Sequence, residues 1–430
     1  MNSDVASLLK QLKTEKSLKG EVASKFKHMD KTAAEYPSLL AAMQNVSERI
    51  KKIEAQIKII AISAPATATQ PELKTSPFTS IAIDSNWDKP FAFELITDNA
   101  FNRWDEFLKS HATTYHYSAW FSVIKKSFGH DSIVLVAVDE NREILGGLPL
   151  TFFSSKLFGS FAVSIPFLNY GGVISLYFDI AVALLEKSKS ICTEHKLSHI
   201  EIRTMQAGLA ENALDKKVSM VLELPKTDEI LDKQLGTKLR AQYKKAEEYK
   251  PTCKTGKLDL LNDFYQVFSR NMRDLGTPVY SKDWFFNILS APEIKSAILI
   301  VYMDKKPVSA GFLVGNDLML EIPWASTIQS ANVKNANMWM YRCILSYAIK
   351  EGYKFFDFGR STMGAGTYKF KKQWGAIPYQ HYWYYVLAEG EQKPELNPDN
   401  PKFKMFIYVW KLMPVWLTKI IGPLIIKHIP

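Results

Sequence analysis

Cysteine is scarce in this 430-residue chain, which has three: Cys192, Cys253 and Cys343. They stand too far apart for a clustered metal site, and an odd number makes no disulfide framework, so a reducing compartment fits. Histidine is thin too, with eight scattered residues. His195 and His199 have the i, i+4 spacing of a helical metal pair, but the chain passes there into the strand-like HIEIRT, which favours a structural role. No GxxxxGKS/T phosphate loop, HExxH, GxSxG or paired CxxC occurs, so the familiar nucleotide-hydrolase, metalloprotease and serine-hydrolase readings lose ground, and no metal is expected. The opening MNSDVASLLKQLKTEK lacks an apolar stretch, so no secretory signal is expected and the expected location is cytoplasmic.

What is present is apolar bulk. Hydrophobic residues make up 47% of the chain and aromatics 13%, which excludes a disordered protein, and the length predicts two or three domains. Lys and Arg number 54 against 44 Asp and Glu, a net charge of +10. Nucleic acid, phospholipid headgroups or nucleotide-linked sugars are then all admissible partners, and so is an ordinary basic enzyme with none of them.

Residues 1–60 predict a helical pair or coiled coil. In the second helix, Leu40, Met43, Val46, Ile50, Ile53, Ile57 and Ile60 form one apolar stripe that needs a partner. An antiparallel pair and a self-associating coiled coil both satisfy it. Residues 61–85, rich in Pro, Ala and Thr, predict a linker. Beyond it, strand-like runs (Ser132–Val138, Leu145–Phe153, Ile298–Met303) alternate with helix-like ones (Ile180–His195, Ala336–Glu351). The alternation occurs twice, over 86–225 and 226–395, and predicts an α/β (α+β) chain with two similar mixed-sheet halves. Residues 236–257 hold seven basic residues against Glu247 and Glu248, either a solvated helix face or an anion-binding one. The last segment, 396–430, has from Pro401 onward five Lys, no acid, and large apolar residues broken by Pro414 and Pro423. It predicts cationic amphipathic helices that either pack on the body or lie at a membrane surface, the latter giving a protein peripheral to the inner membrane.

The run from Lys354 to Val386 (KFFDFGRSTMGAGTYKFKKQWGAIPYQHYWYYV) passes from a strand through a glycine-rich turn and a basic aromatic knot to an aromatic strand. Backbone amides of such a turn can receive an anion, with neighbouring Lys and Arg completing the charge balance. Arg360 can hold a phosphate or carboxylate in bidentate fashion, or form a structural ion pair with Asp357 or another acid.

FDFGRS followed by GTYKFKKQWGA resembles the C-terminal signature of the FemAB family, most closely the FemAB-like proteins of exopolysaccharide and PEP-CTERM/exosortase clusters. Four further stretches agree in order: HATTYHYSAWFSVIKKSFGH, GGLPLTFFSSKLFGS, PFLNYGG and NMRDLGTPVYSKDWF. The resemblance implies tandem GNAT-like domains around a cleft and transfer of an acyl or aminoacyl group to a cell-envelope precursor. It makes Phe370 and Lys371 the Phe-Lys pair of an FKxxWG motif, with Lys371 stabilising a tetrahedral oxyanion. Tyr368, Lys369, Trp374, Arg360, Asn169, Tyr170, Arg273 and Tyr280 are the expected substrate-binding residues, and Asp274 is a candidate general base. No permanently bound cofactor is expected. The donor is acyl-CoA or aminoacyl-tRNA, and the tRNA option is weakened because the second half lacks the coiled-coil insertion of peptidoglycan FemAB enzymes. A module that binds anionic glycan or lipid without catalysis is the alternative.

Overall fold

The computed structural model describes residues 3–26, 35–63, 77–78, 81, 84–155, 159–211, 213–393 and 401–430. They form two compact units, Met1–Glu72 and Leu73–Pro430. Most of the expected linker lies outside the described residues.

In the first unit α1 (Ser3–Phe26) packs against α2 (Tyr36–Ser63). Arg49 clamps Glu15 with two hydrogen bonds of 2.9 and 3.0 Å. Of the expected apolar stripe, Val46 and Ile50 are buried, whereas Leu40 is 43% exposed. One partner helix covers only a narrow seam, so a stripe that wide is not closed throughout. The side chains of Ile57 and Ile60 lie outside the described residues.

The second unit opens with β1 (Ala92–Ile96), α3 (Phe101–Leu108), α4 (Ser118–Phe128), β2 (Ser132–Val138), β3 (Ile144–Ser155), β4 (Gly159–Val163), β5 (Ile174–Ser175), α5 (Phe178–Glu194), β6 (His199–Thr204) and β7 (Lys217–Glu223). It continues through α6 (Asp228–Gln234), α7 (Thr237–Lys245), β8 (Thr252–Gly256), α8 (Leu261–Leu275), α9 (Lys282–Ser290), β9 (Lys295–Met303), β10 (Lys306–Gly315) and β11 (Met319–Thr327). After α10 (Gln329–Asn332) and α11 (Ala336–Lys350) come β12 (Phe355–Thr362), α12 (Gly366–Lys372), β13 (Ile377–Gln380), β14 (Tyr382–Leu387), α13 (Pro401–Leu412) and α14 (Val415–Ile426).

Two mixed sheets result, as in tandem GNAT-like domains. One has the order β1-β2-β3-β4-β6-β14, with β5 beside β3; the other runs β13-β7-β12-β11-β10-β9-β8. Each contains one parallel pair joined by a crossover helix, β4-α5-β6 and β11-α11-β12, because parallel neighbours cannot be joined by a tight turn. The sheets do not divide at residue 225. β7 precedes that point yet pairs with β12, and β14 follows it yet pairs with β6. The chain thus exchanges strands between its halves.

Alternating side chains put apolar groups on both faces of each sheet. Val134, Val136 and Val138 of β2 join a core shared by both halves with Trp104, Trp120, Trp284 and Phe312, whereas Leu135 and Ala137 face Leu184 and Leu185 of α5. The outer face of the second sheet packs on α7 and α11.

Cys253 on β8 and Cys343 on α11 form a disulfide, and Cys192 is free and buried. This corrects the expectation drawn from three dispersed cysteines: sequence separation does not measure distance across a sheet and its covering helix. Among the described residues no group of side chains is placed to hold a metal ion, and no helix is long and apolar enough to cross a membrane.

Candidate functional site

The site is built where two parallel strands part. β11 and β12 are in register at Met319↔Phe355, Leu320↔Phe356 and Glu321↔Asp357. They pair no further, although β11 continues to Thr327 and β12 to Thr362. A bulge lies on the far edge of β12, where Asp357 to Arg360 oppose Val221 to Ser219, and Gly359 takes a φ of 78°. Glycine suits that bulge because it enters the left-handed region without steric cost. It also leaves room, since a Cβ there would stand 3.3 Å from the Ile322 carbonyl, 3.5 Å from Asn169 Nδ2 and 3.9 Å from Lys371 Nζ.

Lys371 comes into this gap from α12. Its Nζ donates to the carbonyls of Gly359 (2.8 Å) and Arg360 (3.0 Å), and the residue is only 8% exposed. Two of the three ammonium donors are thereby used. Asp357 Oδ1 accepts from the Gly359 amide at 2.7 Å. Glu321 Oε1 accepts from Asn169 Nδ2, which the 164–172 loop carries across from the first sheet. The Tyr115 hydroxyl lies beside Glu321, but neither it nor Glu321 Oε2 has a well-formed hydrogen bond.

Burial and charge set the protonation of this cluster. Loss of water raises Glu321 well above the usual carboxyl range, and the Asp357 charge pushes it further. Asp357 is raised by burial and held back by Lys371. Lys371 falls to about 8, chiefly by burial, with both carboxylates opposing. A lysine ammonium and two carboxyls that titrate near neutrality are what proton transfer needs. Beside them is a cavity of about 330 Å³ lined by Asn271, Ser326, Asn337, Tyr341, Phe370 and Lys371. Cavities of about 450 and 570 Å³ lie near His130 and Asp105, away from these charged groups.

A second charged group sits at the strand exchange. The guanidiniums of Arg203 and Arg360 lie 4.7 and 5.2 Å from the centre of the same Trp383 ring. Arg203 is paired to Glu201 at 2.5 Å, and Tyr385 donates to the other Glu201 oxygen at 2.8 Å. Among the described residues Arg360 forms no ion pair with Asp357 or any other acid, and its Nη1 is buried without a partner. Burial and the Arg203 charge lower it to about 10. His381 contacts Ser219 Oγ at 3.0 Å and, dropped to about 3 mainly by burial, is neutral.

The expected site residues thus divide. Lys371, Phe370, Asn169 and Arg360 gather at the fork. Tyr280 stands near Arg360 and is pushed up to about 12 by burial, against the pull of both arginines. Tyr170 is buried, with its hydroxyl 3.3 Å from Thr114 Oγ1 and its ring 5.0 Å from Tyr115. Trp374 is 1% exposed and packs in the outer core near Tyr341 and Phe370. Tyr368 lies on the rim under Lys372, and Lys369 is exposed. Arg273 and Asp274 pair with each other at 2.7 Å, and Arg273 donates to the Met413 carbonyl at 2.9 Å. Their polar contacts therefore lie toward the C-terminal helices and not at the fork. Sequence reasoning missed Glu321 and Tyr115, and saw Asp357 only as an ion-pair partner. A lone acid inside the apolar strand MLEIPWAST was the available signal for Glu321.

Residues 234–372, which hold Glu321, Asp357 and Lys371, match the acetyltransferase (GNAT) domain family. The crystal structure of FemX is similar in fold, with a TM-score of 0.53 and 16% identity over 68% of this chain and 97% of FemX. L-PGS from Bacillus licheniformis gives 0.46 and 12%, covering 76% of this chain and 98% of its own. A tandem GNAT protein from the clavulanic acid biosynthesis pathway gives 0.46 and 9%, with 70% and 100% covered. No curated protein matches the sequence. The GNAT match supports an acyltransferase, and the FemX likeness shows the fold.

Proposed function

We propose that the chain transfers an acyl or aminoacyl group to an amine or hydroxyl of a cell-envelope or exopolysaccharide precursor, with Lys371 at the reacting carbonyl. The observation that carries this reading is the buried Lys371 ammonium, fixed by two carbonyls at the β11/β12 fork and lining a cavity. Attack on an ester or thioester places negative charge on the former carbonyl oxygen. A cation held beforehand in a partly dry site stabilises that charge more than it stabilises the ground state, and its remaining N–H can point at the oxygen. The acceptor must lose a proton as it attacks. Glu321 in its ionised form is suited to take it, since burial makes that carboxylate a stronger base than usual, whereas Asp274 is engaged by Arg273. No covalent enzyme intermediate is needed.

Acyl-CoA is the donor the GNAT match favours, with aminoacyl-tRNA as the second option. The Arg360 and Arg203 pair, short of one counter-charge, suits an anionic group on the acceptor. The fine resemblance to exopolysaccharide-associated FemAB-like proteins supports an envelope precursor.

The test is mass spectrometry of protein incubated with acetyl-CoA, longer acyl-CoAs or charged tRNA, each with an amino-sugar nucleotide acceptor. Wild type is expected to yield a mass-shifted acceptor, and Lys371→Ala to lower turnover by about 10²–10³-fold while remaining folded. Equal turnover by both proteins would remove Lys371 from the chemistry. Binding of the acceptor with no donor consumed by either would make the chain a binding module.

A further inference from the structure

The two C-terminal helices are held to the body by one face and leave the other bare. On α14, Thr418, Gly422 and Ile426 are buried, while Trp416, Ile420 and Leu424 are 64, 59 and 60% exposed. On α13, Trp410 is buried, and Met405, Tyr408, Val409 and Leu412 are 66, 66, 45 and 67% exposed. Both sets follow helical spacing, so each helix carries an apolar stripe against the body and a second one facing away. A helix that is apolar on both sides has an unmet partner on one of them.

The attachment is firm. A Cβ on Gly276 would come within 2.5 Å of Ile407, and one on Gly422 within 2.7 Å of the Val279 amide. Arg273 ties the turn between the helices at the Met413 carbonyl, and the Lys419 ammonium lies 5.2 Å from the Tyr265 ring. The bare stripes are therefore a fixed surface of the fold.

Charge names the occupant. Residues 401–430 contain five lysines and no acid. A second copy using the same face would bring lysines against lysines, whereas an anionic lipid surface would neutralise them. Length agrees. Each helix has 12 residues, too few to span a bilayer that needs about 20, but enough to lie in the headgroup region with aromatic and aliphatic side chains pointing down.

We infer that α13 and α14 dock this protein on an anionic phospholipid surface through Met405, Tyr408, Leu412, Trp416, Ile420 and Leu424, with the positive charge of the segment, exposed Lys411 included, drawing it to the headgroups. The inference stands apart from the acyltransferase reading, but it gives that reading a place. α8, on which both helices pack, also carries Asn271 into the cavity beside Lys371. The site would then sit over a membrane, where a lipid-linked acceptor is within reach.

The experiment is sedimentation of the full chain with phosphatidylcholine vesicles, with and without phosphatidylglycerol. Alongside runs a variant with Trp416→Ser, Ile420→Ser and Leu424→Ser. These side chains are exposed, so circular dichroism and melting should match wild type. Binding is expected to need phosphatidylglycerol, to weaken with salt, and to fall by about tenfold or more in the triple variant. Wild type left in the supernatant with both vesicles, or equal binding by the variant, overturns the proposal. So does a wild-type dimer in light scattering that the triple variant dissolves, which would assign the face to a second copy. Turnover of a soluble acceptor by the triple variant, expected to equal wild type, keeps failure of membrane docking separate from failure of the catalytic reading.

Discussion

Glu321 and Asp357 are direct register partners on the parallel strands β11 and β12, and both are completely buried. Two like charges cannot both ionise cheaply at that distance from water, so the pair needs Lys371 as its counter-charge, and Lys371 needs the pair. The site is in this sense one electrostatic unit. Changing any member shifts the protons on the others.

The sign of one pH effect follows from burial. Glu321 holds its proton more tightly when folded than unfolded. Its contribution to stability is therefore full below the unfolded carboxyl value, about 4.3, and is lost as pH rises toward the raised folded value. Glu321→Gln has no such loss, so its melting temperature should rise relative to wild type between about pH 5 and about pH 9. Turnover should fall by about 10²-fold or more. Glu321 must be ionised and Lys371 protonated to act, so wild-type activity should rise toward about pH 8 as Glu321 loses its proton and decline above about pH 8 as Lys371 loses its own. Parallel melting curves together with unchanged turnover would remove Glu321 from its assigned role.

Gly359 is predicted to be intolerant of a side chain. Gly359→Ala forces a left-handed alanine and puts its Cβ 3.3 Å from the Ile322 carbonyl. A loss of roughly 1–2 kcal/mol is expected, together with reduced turnover because two carbonyls that hold Lys371 must move. Gly236→Ser, where no atom lies within 4 Å of the new Cβ and serine caps α7 at least as well as glycine, is the control and should be near neutral. Urea unfolding of both variants gives the comparison, and equal costs would refute this account of the bulge.

The Cys253–Cys343 bridge spans 90 residues of chain. Closing a loop of that size stabilises by roughly 4.6 kcal/mol in the chain-entropy model. Reduction, or Cys343→Ser, should therefore lower the melting temperature measurably. Thiol counting on the unreduced protein offers an independent check: one free cysteine, Cys192, is expected, and three would show that the bridge does not form.

Much of the architecture is legible in the residues. The run SIVLVAV predicts β2 to its last residue, and the period of 180–195 predicts α5 to within two residues at its start. The doubled strand and helix pattern foretells two mixed sheets. Such features depend on local periodicity, which a strand or helix carries in its own side chains. The FKKQWG stretch likewise directs attention to Lys371 before any coordinate is known.

The strand exchange was not legible. β7 and β14 look like members of the halves in which they occur, because hydrogen-bond partners leave no trace in a strand's own alternation. Asn169 and Glu321 are 152 residues apart and meet only because a loop from one sheet enters the fork of the other.

What the sequence determined by itself is the set of elements, the apolar faces that must be covered, and a basic aromatic motif rich enough in type and spacing to be singled out. The tertiary structure alone decided which acids stand beside Lys371, that Asp274 is paired with Arg273 instead, and which side of α14 is left uncovered. The physical reason is the same in each case: protonation, pairing and exposure depend on distance and on water, and neither is a property of a residue's place in the chain.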